Sequence, residues 1–197
     1  GLSYSWGVDN RNNKTFTTRG LYFEQTSQWM NEFNASSINA GDFGYHTASL
    51  AFYQSFKFPA RLTFATRVSG GITRGDFQIY QSQILDGRTE VRGFRKTRFY
   101  GDSKLVFNNE VRFKLGEIHS YIMPASIGML GFFDIGRVWY KDSTGIDPTS
   151  ATGKSKVWHK GFGGGFWFTP YNLAVVSLTA GHSVEGTLAY FRLGFLF

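Results

Sequence analysis

Alternation with a period of two residues is what most limits how this chain can fold. Between Lys104 and Leu115, Leu105, Phe107, Val111 and Phe113 fall on one face, while Lys104, Asn108, Glu110, Arg112 and Lys114 fall on the other. Successive side chains of a strand point to opposite sides, so this segment is predicted to be a strand with one apolar and one ionic surface. The same division recurs at 47–58, with Leu50, Phe52, Phe56 and Phe58 set against Ser49, Tyr53, Ser55 and Lys57. At 61–68 it separates Leu62, Phe64 and Val68 from Arg61, Thr63 and Arg67; at 126–140 it separates Ile127, Met129, Phe133, Ile135 and Trp139 from Gly128, Asp134 and Gly136. Segments 2–8, 20–27, 158–168, 173–181 and 187–197 bring the total to about nine strands.

Alternation alone does not say which face is inside. A soluble β-sandwich or a lipocalin-like barrel would turn its apolar face inward, and composition weighs against both. Aromatics make up 18% of the 197 residues, with 21 Phe, 10 Tyr and 5 Trp, yet they are dispersed at every second position instead of gathered into runs. Mean hydropathy is only −0.23. With 24 Gly and 4 Pro, the chain reads as long strands with glycine where crowding demands it. Aromatics gather near strand ends (Trp139, Tyr140, Trp158, Phe168 and Tyr171), and alternate connections differ in length. Those at 58–60 and 169–172 are tight, while those at 76–102 and 142–157 are long. Short turns on one side and long loops on the other describe an outer-membrane barrel. No apolar stretch approaches the ~18 residues of a membrane-spanning helix. No basic segment followed by an apolar one opens the sequence, so a leader is expected to be already removed or to lie outside it. With no cysteine, neither disulfides nor a thiolate metal site can form.

Two further segments sharpen the barrel reading. The end of the chain, Thr187 to Phe197, places Phe191, Leu193, Phe195 and Phe197 on one face and Arg192 and Gly194 on the other. Bacterial outer-membrane barrels resemble this: their last strand carries alternate apolar residues and ends in Phe, and the assembly machinery reads it as a signal. The second segment is Val91-Arg92-Gly93-Phe94, in a basic stretch between two strands. The strands after it carry Glu110 and Asp134 on their polar faces, which suggests a loop tucked inside a barrel and held by charge.

Together these residues resemble the C-terminal half of the BamA/TamA superfamily of outer-membrane assembly and translocation barrels, the bacterial surface antigen family. Asp9-Asn10-Arg11 with Phe16 to Gly20 is similar to one of the family's hairpins. Val91 to Phe94 resembles the tip of its sixth extracellular loop, which folds back into the barrel. Asn109 to Phe113 resembles the next strand, and Phe132 to Trp139, with Phe133-Asp134-Ile135-Gly136, the one after. The resemblance implies a loop lock of Val91, Arg92, Gly93, Phe94, Glu110, Asp134 and Gly136, in which Arg92 contacts both carboxylates. It also implies a sixteen-stranded wall, of which residues 1–197 supply the C-terminal eight or nine strands, with an inward-folded loop at about 77–102. The remaining strands would come from the same polypeptide or from a second copy. That loop is short for the family's main assembly protein, and Leu85-Asp86-Gly87-Arg88 stands where a double glycine is usual. In brevity it resembles members fused to phosphoesterase or patatin-like domains. No POTRA-like alternation of strands and helices is visible ahead of the wall.

The expected function is therefore insertion and assembly of outer-membrane proteins, or translocation, through a lateral seam in the bacterial outer membrane. The alternative is a passive pore or an anchor for a fused enzyme domain. Membrane lipids, client barrel proteins and accessory lipoproteins are the expected partners. Catalysis is not expected, nor a cofactor or a metal. His46, His119, His159 and His182 show no ligand spacing, and an arginine between Glu110 and Asp134 would hold both ionised. The net charge of +7 could serve nucleic acid, but the basic residues alternate along strands instead of forming one patch.

Overall fold

A computed structural model describes residues 1–30, 42–57, 61–75, 77, 79–121, 123–140, 157–171 and 173–197. The turn at 58–60 and most of the long connection at 142–157 lie outside the described residues. The fold is all-β. Among the described residues nine long strands form one antiparallel sheet: β1 (Leu2–Asp9), β2 (Gly20–Met30), β3 (Phe43–Phe56), β4 (Leu62–Gly75), β7 (Ser103–Ile118), β8 (Ala125–Trp139), β9 (His159–Pro170), β10 (Val176–Ser183) and β11 (Gly186–Leu193). They pair in chain order, and β1 and β11 are the two edges, so the sheet is not closed. Between β4 and β7 the chain leaves the sheet and forms a small hairpin of its own, β5 (Gln83–Leu85) with β6 (Phe99–Gly101).

Register fixes which residues share a face. Glu110 pairs with Ala65 and Phe132, and Asp134 with Asn108 and Gly161, so the acidic positions of β7 and β8 stand on one side. That side is the buried one: Ala51, Tyr53, Ala65, Val106, Asn108, Glu110, Arg112, Asp134 and Trp167 are each at most 2% exposed. The opposite side carries Leu50, Phe52, Phe64, Met129, Phe133, Phe162, Phe166, Leu178 and Phe191, all large, apolar and exposed. Ordinary soluble packing is thus inverted, with ions inside and phenylalanines outside. The one break in β7–β8 pairing falls between Lys114 and Gly116, and it leaves Leu115 half exposed.

The sheet curls about its polar face. Past the end of β11, the Phe197 ring lies 6.1 Å from that of Tyr53 on β3. From the other edge, Phe16 in the β1–β2 connection reaches Trp167 on β9, with ring centroids 4.9 Å apart. This tail differs from the expected stripe. β11 ends at Leu193, and only Phe191 and Leu193 remain on the exposed face. The cause is local: Gly194 has φ +119°, a conformation open to glycine that takes the chain out of the strand, and its N–H bonds Val175 O at 2.7 Å. Phe195 then packs inside against Phe16 and Trp167, and Phe197 follows it inward. Elsewhere the strands outrun the sequence pattern: β3 begins at Phe43, and β4 continues to Gly75 through Gly70 and Gly71, where apolar alternation fades.

Candidate functional site

The connection from β4 to β7 lies on the buried face of the sheet. Its apolar side chains Leu85, Val91, Phe94 and Phe99 form a cluster with Val106 of β7 and Val138 of β8. Asp86 organises the turn that follows β5. Its main-chain carbonyl accepts the N–H groups of Glu90 and Val91 at 3.0 and 3.1 Å, and its carboxylate accepts Arg88 N–H and the Thr89 hydroxyl, both at 3.1 Å. A capping aspartate therefore stands where the family resemblance leads one to expect a second glycine.

The turn delivers Arg92 to the wall. Its Nε and Nη2 donate to the two carboxylate oxygens of Asp134 at 2.7 and 2.9 Å, and its own backbone N–H reaches Asp134 at 3.2 Å. Nη1 donates to Glu110 Oε1 at 2.5 Å. The guanidinium is stacked 3.5 Å above the Phe132 ring. A planar fork of donors suits two carboxylates and an aromatic face at once, which an ammonium could not match. Burial pulls the Arg92 guanidinium toward neutrality, but its bonds to Asp134 and the charge of Glu110 outweigh this and raise its pKa further.

Each carboxylate has a second partner. Asn108 donates to Asp134 Oδ1 at 2.8 Å and accepts from Arg67 Nη2 at 2.8 Å. Glu110 Oε2 accepts from Arg112 Nε at 3.0 Å, and Arg112 also donates to the carbonyls of Thr17 and Phe197 at 3.4 and 2.8 Å. Glu110 thus joins the loop to the inward-folded β1–β2 connection and to the chain's last residue. Arg92, Arg112, Glu110 and Asp134 each face an opposite charge, a condition without which burial at this depth would be prohibitive.

A scan against family models matches the Omp85 superfamily domain over residues 1–187. The chain belongs to the Omp85 superfamily. Omp85 proteins are outer-membrane β-barrels broadly concerned with protein assembly and translocation. A comparison with curated proteins returned no match.

In this Omp85 chain the loop tip also rests on the terminal strands. Gly93 has φ +104°, and a Cβ there would lie 2.8 Å from the backbone carbon of His182. Beneath the tip, a Cβ at Gly136 would lie 2.7 Å from Leu85, and one at Gly161 would collide with the carbonyl oxygen of Arg92. Gly93 N–H donates to the Tyr190 hydroxyl at 2.6 Å, and that hydroxyl donates to Gly87 O at 3.1 Å. Ser183 Oγ donates to Gly93 O at 2.6 Å. Glu185, in the β10–β11 turn, accepts Arg95 N–H at 3.3 Å and pairs with Arg98. Burial would raise the Glu185 pKa, but the hydrogen bonds from Arg98 and Arg95 outweigh it and hold the carboxyl below its usual range.

Of the residues singled out in the sequence, Val91, Arg92, Gly93, Phe94, Glu110, Asp134 and Gly136 come together at this site. Phe191, Leu193, Phe195 and Phe197 do not: two stay on the exposed stripe and two turn inward. Ser183, Glu185 and Tyr190 are not singled out by the sequence, and Asn108 and Phe132 stand there only as members of a strand face and of a family segment. Phe132 and Asn108 had a signal, since both share the inward parity of Asp134 and Glu110. Tyr190 had none beyond its own parity in β11. As for chemistry, Glu110 and Asp134 accept several charged hydrogen bonds apiece, which suits neither to proton donation. Among the described residues no group of three His, Asp or Glu side chains is placed to hold a metal.

Proposed function

We propose that this chain is the C-terminal portion of a barrel of the BamA/TamA type. In this reading it inserts or translocates proteins through a lateral seam at the terminal strand, and the loop at 77–102 keeps that wall in its working shape. The observation that carries the proposal is the buried Arg92–Glu110–Asp134 cluster, whose loop tip also holds Tyr190 of β11. The loop is fixed to the wall at β7–β8 and to the last hairpin, beside the β11 edge at which a seam would open. β11 is an edge strand, and its backbone can pair with an incoming strand by β-augmentation. The edge of β1 calls for the remaining strands of a sixteen-stranded wall, because unpaired edge groups facing lipid would each cost several kcal/mol. The exposed phenylalanine stripe supports lipid on the outside.

A passive pore fits less well, since the loop, Arg112 and Phe197 occupy the inner face. Arg92→Ala in the full-length protein tests the choice. Loss of client barrel assembly in reconstituted membranes, with the variant still inserted, supports the assembly reading. Unimpaired assembly by a variant whose loop is shown to be released would contradict it. A stable, large conductance in planar bilayers would favour the pore.

A further inference from the structure

We propose that Arg137 and Lys160 form a phosphate-binding site on the outer wall, which takes the headgroup phosphate of a lipid in the leaflet on the long-loop side. The inference rests on the reading that the exposed apolar face meets lipid. Arg137 pairs with Leu105 across β7–β8, and Lys160 pairs with Ile135 across β8–β9, so both cations stand on the outward stripe. They are diagonal neighbours, about 7–8 Å apart. No Asp or Glu shares that stripe on β9, or between Leu105 and Phe113 of β7, or along β8.

The inner cations Arg92, Arg112 and Lys104 are all bonded to carboxylates. Arg137 instead keeps its Nε shielded from solvent with no hydrogen-bond acceptor. A desolvated N–H of this kind is costly until an acceptor arrives. The Arg137 guanidinium lies 5.2 Å from the Trp139 ring, and Trp139 meets Trp158 edge-on at 5.9 Å. Paired tryptophans mark headgroup depth, and near that depth outward charges are tolerated on a barrel wall. A guanidinium fork beside a compact ammonium matches a tetrahedral oxyanion. A lipid is favoured over free phosphate because exposed Phe133 and Phe162 continue the stripe toward the membrane middle, where acyl chains would lie against them.

The test uses full-length protein in phosphatidylcholine vesicles doped with diphosphoryl lipid A or its dephosphorylated form, and with inorganic phosphate as competitor. Arg137→Gln with Lys160→Gln is expected to lower retained lipid A roughly tenfold or more. Each single variant should fall between the double variant and the parent. The dephosphorylated lipid should not be retained, and inorganic phosphate at equal concentration should not displace lipid A. Unchanged retention by the double variant, equal retention of the dephosphorylated lipid, or full displacement by inorganic phosphate would each overturn the proposal. Bromine-labelled acyl chains separate the two readings. Failure to quench tryptophan fluorescence would sink the lipid-facing wall and this site with it. Quenching with unchanged retention would sink the site alone.

Discussion

Arg92 is 1% exposed and shared by two acids, so its removal leaves two buried carboxylates with too few donors. Breaking a buried pair in this way costs about 3–5 kcal/mol. Arg92→Ala is therefore expected to lower markedly the temperature at which the folded, fast-migrating form is lost on heating. Arg92→Lys should recover only part of the loss, because an ammonium cannot bridge Asp134 and Glu110 while stacking on Phe132. Tyr190→Phe tests the second attachment by deleting one oxygen. It leaves Gly93 N–H and Gly87 O without a partner, at about 1–3 kcal/mol, and should raise hydrogen exchange at the loop tip. At this scale the sequence was informative wherever chemistry repeats locally. Arg92, Glu110 and Asp134 were legible because period-two alternation gives the carboxylates one face and a glycine-flanked arginine precedes them. Tyr190 was not, since it meets Gly93 across 97 positions of sequence and no local pattern encodes that meeting.

At the scale of elements, the loop, the floor of glycines beneath it and the terminal hairpin behave as one assembly. Gly161→Ala would force a methyl group into the Arg92 carbonyl, and the loop is expected to lift from β9. Because this undoes what Arg92→Ala undoes, the two changes together should cost clearly less than their sum, measured as a double-mutant cycle on thermal stability. Acid should loosen the same assembly. The Glu185 carboxyl is held below its usual range in the folded protein, so its contribution is complete above the unfolded pKa and fades as pH falls through the folded one. Loop protection is expected to drop on the acid side, and Glu185→Gln should flatten that dependence. Strand existence was readable from alternation. The ends of β11 were not: apolar spacing runs on to Phe197, while the backbone turns at Gly194, and spacing carries no information about φ.

For the whole molecule, the decisive feature is the inversion of polarity between the two faces. The sequence pointed to it indirectly, by dispersing aromatics along strands and giving alternate connections unequal lengths. It could not show how the inner face is filled, because the loop, the β1–β2 connection and the tail arrive there from distant parts of the chain. Nor does alternation reveal that Glu110 joins Arg92 to Arg112, and through it all three fillers. The central claim is that Met129 and Phe133 face lipid while Leu130 and Asp134, one residue along, face a filled interior. Spin labels placed singly at Met129, Leu130 and Phe133 of the membrane-inserted full-length protein test this most directly, read by relaxation with oxygen as the lipid-soluble agent. The account expects strong oxygen relaxation at 129 and 133 and little at 130. Strong relaxation at 130 with shielding at 129 and 133 would contradict it.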